Sequence, residues 1–195
     1  ERTIKLLITS GVEEISINIH HLSDQIEKYI LKFKGEANFY VSDEKELLLD
    51  TGGGVKKASK KFNDNPFFVI NPDTIWGINY LKEIELLEKK YFEKKKPCLL
   101  LVKKQLSFDK SFNGDFNLTE GLVTRDKENE YIFTGLQIIK NNNFEFIKEK
   151  VFSMNDVWSE LIRKKNLFGL ESEQKFYHLN SIDTYKKISL LKLTN

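Results

Sequence analysis

The 195-residue chain has one cysteine, Cys98, so no internal disulfide can form and a reducing compartment is expected. Arginine is almost missing too: only Arg2, Arg125 and Arg163 stand among 31 basic residues. Lysine spread along helices marks solvated faces, whereas a nucleic-acid surface calls for clustered arginine and aromatics, so a nucleic-acid partner is not expected. No apolar run approaches the roughly 20 residues that span a bilayer, and no signal peptide is expected. A cytoplasmic protein with no membrane partner is expected. Three histidines and one cysteine give no cluster with zinc spacing, and neither a Ser-His-Asp set nor G-x-S-x-G supports hydrolase chemistry. Repeats, low-complexity tracts and an interdomain linker are also lacking. Oligomeric state is not readable.

What is present is an ordinary globular composition, 40% hydrophobic and 31% charged with a net charge of +2, at a length that fits one domain. Ile4, Leu7 and Ile8 form the apolar face of an opening helix that Gly11 ends. Glu14 to His20 alternates as a strand, 22–33 reads as a helix, 37–41 as a short strand and 53–62 as a helix. Phe67 to Ile70 and Leu99 to Val102 are compact apolar strands of the buried kind, with a helix over 79–94 between them that turns Tyr80, Ile84, Leu87 and Tyr91 inward. This β-α alternation is a doubly wound pattern. After about residue 105, GDFNLTEGLVTR and EYIFTGLQII read as antiparallel strands. A helix at 155–165, short strands at 167–170 and 175–179, and a helix near 182–191 complete the pattern.

Two features carry chemistry. In LLLDTGGGVKKA, residues 47–58, three glycines adjoin a helix start. Glycine lets backbone approach a ligand closely, and a helix N-terminus favours negative charge. The alternative is a plain turn with Thr51 as N-cap. The spacing is neither that of a Walker A loop nor G-x-G-x-x-G. In FFVINPD, Asp73 follows a strand end. There it is either an Asx-turn or a hard oxygen ligand for Mg²⁺ on nucleotide phosphates. Gly135 interrupts a strand, and Gly114 precedes Asp115; strand glycines mark close approach of a ligand or backbone, or a bulge. Trp76 is expected to be a packing or lid residue and not a base-stacker, and His178 in KFYHLNS to be structural unless it holds a ligand.

In order along nearly the whole chain, SGVEEISINIHHLSDQI, LLLDTGGGVKKA, PFFVINPDTIW, NGDFNL, YIFTGLQII, FSMNDVW and FYHLNSIDTYKK resemble the sugar-1-phosphate nucleotidyltransferases. The likeness is greatest to the N-acetylmuramate-1-phosphate uridylyltransferase and mannose-1-phosphate guanylyltransferase-like branch. The resemblance implies an α/β fold, a Rossmann-like mixed sheet flanked by helices (the nucleotide-diphospho-sugar transferase type) with an antiparallel sugar-binding portion. One domain over 1–195 is expected, with a nucleotide-side half at about 1–104 and a sugar-side half at about 105–195. The implied activity is nucleotidyl transfer from a nucleoside triphosphate, UTP before GTP, to a sugar 1-phosphate, with Mg²⁺ as cofactor. An N-acetylmuramate substrate would belong to cell-wall recycling.

By position, the resemblance assigns Asp73 to catalysis and metal binding. It assigns Thr51, Gly52, Gly53, Gly54 and Asn71 to the nucleotide, and Gly114, Gly135, Ser153 and Asn155 to the sugar. His178 stands where many relatives carry a second metal-ligating Asp within W-x-D-V-G-T, which makes it a candidate metal ligand. Imidazole suits Mg²⁺ poorly, so either Mn²⁺ substitutes or one metal suffices. Pro72 fills the middle of the family's N-x-D. The signature G-x-G-T-R-x-x-P and K-P, with the principal Arg and Lys, would lie just upstream of Glu1, so the chain is expected to be N-terminally incomplete and a poor catalyst as written. The rival expectation is a non-catalytic sugar-nucleotide-binding or regulatory module of the same fold.

Overall fold

The computed structural model describes residues 1–191 and 193. The chain forms two units, each discontinuous in sequence: Glu1–Ser10, Phe68–Ile139 and the stretch from Ile162 onward make one, and Gly11–Phe67 with Lys140–Leu161 make the other.

The first unit is built on a six-stranded mixed sheet. Its strands are β3 (Phe67–Ile70), β4 (Cys98–Lys103), β5 (Asn117–Thr119), β6 (Leu122–Thr124), β7 (Tyr131–Ile139) and β8 (Phe168–Ser172), in the order β3-β7-β4-β8-β6-β5. β4 runs antiparallel to β7 and parallel to β8, while β5, β6 and β8 pair antiparallel in turn. The expected apolar strands are therefore present, but β3 and β4 are not neighbours. The late strand β7 lies between them, so the later part of the chain completes the central sheet. Helix α4 (Leu81–Lys94), preceded by a 3₁₀ turn at Ile78–Tyr80, packs on it. Tyr80, Ile84, Leu87 and Tyr91 meet Cys98, Leu100, Leu136 and Ile138, and Trp76 and Leu6 of helix α1 (Arg2–Thr9) join the same core. The inward face of α4 matches its sequence period. Trp76 is fully buried and stands edge-on to Tyr80, with ring centroids 4.9 Å apart, so packing is its role.

The second unit holds the parallel pair β1 (Glu14–Ile19) and β2 (Asn38–Asp43), with α2 (Ser23–Ile30) between them in sequence. Helix α3 (Asp50–Ala58) lies against both strands, and most of helix α5 (Met154–Arg163) belongs here. Ile15, Ile19, Phe33, Leu49, Phe144, Phe152, Val157 and Trp158 are buried.

Three departures from sequence expectation bear on the site. Helix α2 gives way to a 3₁₀ turn at Leu31–Phe33. Helix α3 begins at Asp50, so the three glycines lie inside its first turns and not ahead of it. Residues 175–179 form no strand: Phe176 bridges Ser107 and His178 bridges Thr74, one residue at a time. The last helix, α6, spans Ile182–Ser189, with the Ser181 side chain accepting from the Thr184 N–H. Residue 192 lies outside the described residues.

Candidate functional site

The acid expected to carry chemistry sits where β3 ends. The backbone there is fixed on every side within the first unit. Asn71 N–H donates to the Gly135 carbonyl at 2.8 Å, and the Trp76 indole N–H donates to the Asn71 carbonyl at 2.7 Å. The Thr74 hydroxyl donates to the Thr134 carbonyl at 2.7 Å, and the Thr134 hydroxyl to the Leu100 carbonyl at 2.9 Å. On the other edge, Ile75 N–H donates to Tyr177 and Leu179 N–H to the carbonyl of Asp73.

Gly135 is part of this device. The β4–β7 register slips between Leu99 and Leu101, because Leu99 faces Gln137 while Leu101 faces Phe133. Two extra β7 residues bulge there, and Gly135 takes φ +92° to make the turn, a region L side chains rarely adopt. A Cβ on it would stand 2.8 Å from Asn71 Cβ. The glycine is thus both a bulge and a close backbone approach, the approaching group being Asn71.

Asp73 emerges half-exposed, with Oδ2 3.3 Å from His178 Nε2. The His178 contact, helped by nearby backbone N–H groups, holds the Asp73 carboxyl below its ordinary range against the opposing effect of partial burial. The His178 ring stacks on Phe176 and meets Phe112 edge-on, with centroids 6.0 and 5.7 Å away. Its Nδ1 is buried and makes no hydrogen bond among the described residues. Gly114 lies apart from this device, in the loop leading to β5. It holds φ +80°, and a Cβ there would collide with the Asn129 carbonyl. Next to it, the Asp115 carboxylate accepts the Phe133 N–H at 2.8 Å, tying the loop to β7.

The glycine helix belongs to the second unit. Gly52 and Gly53 both donate their N–H groups to the Phe152 carbonyl, at 2.9 and 3.0 Å. A Cβ on Gly52 would stand 2.5 Å from the Phe152 ring, one on Gly53 would strike the Lys150 carbonyl, and one on Gly54 would come within 2.9 Å of Glu44 Oε1. None of the three takes a positive φ. The Thr51 hydroxyl accepts from Met154 N–H at 3.0 Å, and Ser153 Oγ accepts from Asn155 N–H at 3.2 Å. Thr51–Gly53 therefore meet Phe152 and Met154, the residues on either side of Ser153, whereas Gly114 and Gly135 lie in the first unit. What lies within reach of these glycines is Phe152, the Lys150 carbonyl and the Glu44 carboxylate.

One feature of this unit escaped sequence reasoning. Beside α3 lies a cleft of about 690 Å³ lined by Lys45, Lys56, Lys57, Lys60, Lys148 and Lys150, with Asp43, Glu44, Glu46 and Glu149. The Lys56 ammonium donates to the carbonyls of Phe144 and Ile147 and has no carboxylate partner among the described residues. Lys148–Lys150 and α3 are far apart in sequence, so only the pairing of KEK with VKKASK could have hinted at it. No group of three His, Cys, Asp or Glu is gathered for a metal among the described residues.

Comparison with known proteins gives these features a context. No family model matches the chain. It is 27% identical over 181 residues to N-acetylmuramate alpha-1-phosphate uridylyltransferase of Caulobacter vibrioides, covering 89% of this chain and 75% of that protein. It is 24% identical over 184 residues to D-glycero-alpha-D-manno-heptose 1-phosphate guanylyltransferase of Aneurinibacillus thermoaerophilus, covering 91% and 77%. Its relatives are sugar-1-phosphate nucleotidyltransferases. Among solved structures, apo UDP-glucose pyrophosphorylase superposes with a TM-score of 0.76 at 14% identity, over 97% of this chain and 84% of the other. That likeness establishes the nucleotide-diphospho-sugar transferase fold, mixed sheet included. No helix among the described residues is long and apolar enough to cross a membrane.

Proposed function

We propose that the chain transfers a nucleotidyl group from a nucleoside triphosphate to a sugar 1-phosphate. An oxygen of the sugar phosphate attacks the α-phosphorus in line. The bond from that phosphorus to the bridging oxygen breaks, and pyrophosphate leaves with the NDP-sugar as the other product. UTP is the first choice and GTP the second, because the uridylyltransferase is the more similar of the two relatives. The observation that carries the reading is Asp73: an ionised, half-exposed carboxylate at a strand end, on backbone fixed from both sides.

The residues present fit a divalent cation. Asp73 offers a hard oxygen, and Mg²⁺ sites need only one or two protein carboxylates when phosphates complete the shell. When bound, the cation neutralises charge developing on the transferring phosphoryl group. The chain's residues position and orient. Asn71, through its bond to Gly135, fixes the angle at which Asp73 leaves β3. Thr51 to Gly54 with Asn71 take the nucleotide side, and Gly114, Gly135, Ser153 and Asn155 the sugar side, by their resemblance. Since Gly52 and Gly53 already donate their N–H groups to Phe152, their contribution there is shape. A reaction drawing on nucleoside triphosphates fits the cytoplasm.

The test is pyrophosphate release by the protein as its gene encodes it, over pairs of nucleoside triphosphate and sugar 1-phosphate. One pair should turn over, and Asp73→Asn should lower its rate by about 10²-fold or more. Tight sugar-nucleotide binding with no turnover of any pair would favour the non-catalytic module instead.

A further inference from the structure

The cleft beside α3 gathers more positive charge than the acids around it neutralise, and all its lining residues belong to the second unit. Lys56, Lys57 and Lys60 follow Gly53 at helical spacing along α3 and the turn after it. The end of a helix favours cations, which by itself accounts for Lys57 and Lys60. Lys148 and Lys150 arrive from a distant part of the sequence and converge on the same hollow. Among the acids, Asp43 is taken by Lys45, at 3.8 Å. The buried Glu44 carboxylate accepts from Leu49 N–H at 3.1 Å and from the Asn18 amide at 2.5 Å. Lys56 and Lys57 donate to backbone carbonyls, those of Phe144 and Ile147 and that of Asp43. Neither they nor Lys60, Lys148 and Lys150 pair with a carboxylate among the described residues. Five ammonium groups therefore stand against the carboxylates of Glu46 and Glu149. Like charges held together without counter-charge repel one another, and their field focuses on the hollow between them.

The lining narrows the ligand. At about 690 Å³ the cleft is of small-molecule size. Apart from its charged residues it presents Leu47, Leu49 and Gly53. Among the described residues it thus has no aromatic ring to stack a base and no amide or hydroxyl side chain to read one. Gly53 supplies wall and not a donor, because its N–H goes to the Phe152 carbonyl. Lysine binds phosphate as a point charge, which asks for no particular orientation of the anion. We propose that this cleft binds a small anion carrying two or more phosphate groups, a free phosphoanhydride or a sugar bisphosphate, at a site that does not include Asp73. The inference stands whether or not the chain transfers nucleotides.

The test is acetylation of lysines by acetic anhydride in the protein as its gene encodes it, in EDTA, read residue by residue by mass spectrometry. The probes are pyrophosphate, tripolyphosphate and glucose 1,6-bisphosphate. A probe well above its Kd should slow acetylation of Lys60, Lys148 and Lys150 by roughly fivefold or more. Lys82 and Lys127, exposed lysines of the first unit, should react as before. In calorimetry, Lys60→Glu combined with Lys148→Glu should weaken binding by roughly tenfold or more. Lys82→Glu combined with Lys127→Glu makes the same change in net charge and should weaken it by less than about twofold. Stronger protection by pyrophosphate than by the bisphosphate assigns a free phosphoanhydride, and the reverse a sugar bisphosphate; either supports the site. No protection of the three lysines, equal slowing of all lysines, or an affinity lowered alike by both double variants would each overturn it. So would a single-stranded DNA oligonucleotide that protects them more strongly per phosphate than tripolyphosphate, which marks a nucleic-acid surface. Because EDTA removes divalent cations, the outcome is independent of turnover. Protection with no turnover of any substrate pair removes the transfer reading alone, and turnover without protection removes this one alone.

Discussion

At the scale of single residues, the site depends on a contact between two backbones. Gly135 has the one side chain, a hydrogen, that lets β7 bulge at φ +92° against Asn71. Alanine there would have to sustain both an unfavourable backbone and a 2.8 Å approach to Asn71 Cβ. Gly135→Ala should cost roughly 2–4 kcal/mol in denaturant unfolding, and it should lower turnover because Asp73 follows Asn71 by two residues. A variant as stable as wild type would mean the bulge relaxes freely. The sequence flagged this glycine as a bulge or a close approach and could not say to what. The same limit applied to Gly52–Gly54. A glycine triplet reports that something comes close, and only the fold identified the Phe152 ring and the Lys150 carbonyl.

Among the elements, a buried carboxylate fastens α4 to the end of β8. Glu83 accepts from the Ser172 hydroxyl at 2.9 and 3.0 Å and from Glu173 N–H at 3.1 Å. Burial pushes its carboxyl above the usual glutamate range, outweighing those hydrogen bonds. The sign follows from linkage. With the folded value raised, the stabilising contribution is complete below the ordinary glutamate value and is lost as pH rises through the folded one. Glu83→Gln removes that titration. The stability difference between the two proteins should therefore move in favour of wild type as pH falls from about 7 toward 5, read by thermal unfolding at each pH. A difference independent of pH would show that the carboxyl does not titrate in this window. The segment that follows includes 175–179, expected from its sequence as a short strand. In the fold it is a strap joined to neighbouring segments by single bridges. A ladder needs a partner that runs alongside for several residues, which no local pattern supplies.

For the molecule as a whole, β4 is the axis of the first unit. Its residues Cys98 to Val102 are fully buried, and burial pushes the Cys98 thiol up to about 12. A thiol reagent at about pH 8 should leave Cys98 unmodified until the unit opens, at a rate that tracks global unfolding measured in parallel. Prompt labelling of the native protein would show local opening of the sheet centre.

Length, the lysine-rich charge, the apolar runs of β3 and β4, the inward face of α4 and the position of Asp73 were all determined by sequence. Each depends on spacing along a few turns or on residue chemistry alone. The place of β7 between β3 and β4, the grip of Gly135 on Asn71, the meeting of Asp73 with His178 and the seating of Thr51–Gly53 on Phe152–Met154 were decided by tertiary structure. Asp73 and His178 are more than a hundred positions apart, as are Thr51 and Met154. No local preference of either partner encodes the other. Such contacts exist because burying the long apolar strands leaves few ways to satisfy the backbone N–H and C=O groups that go inside with them.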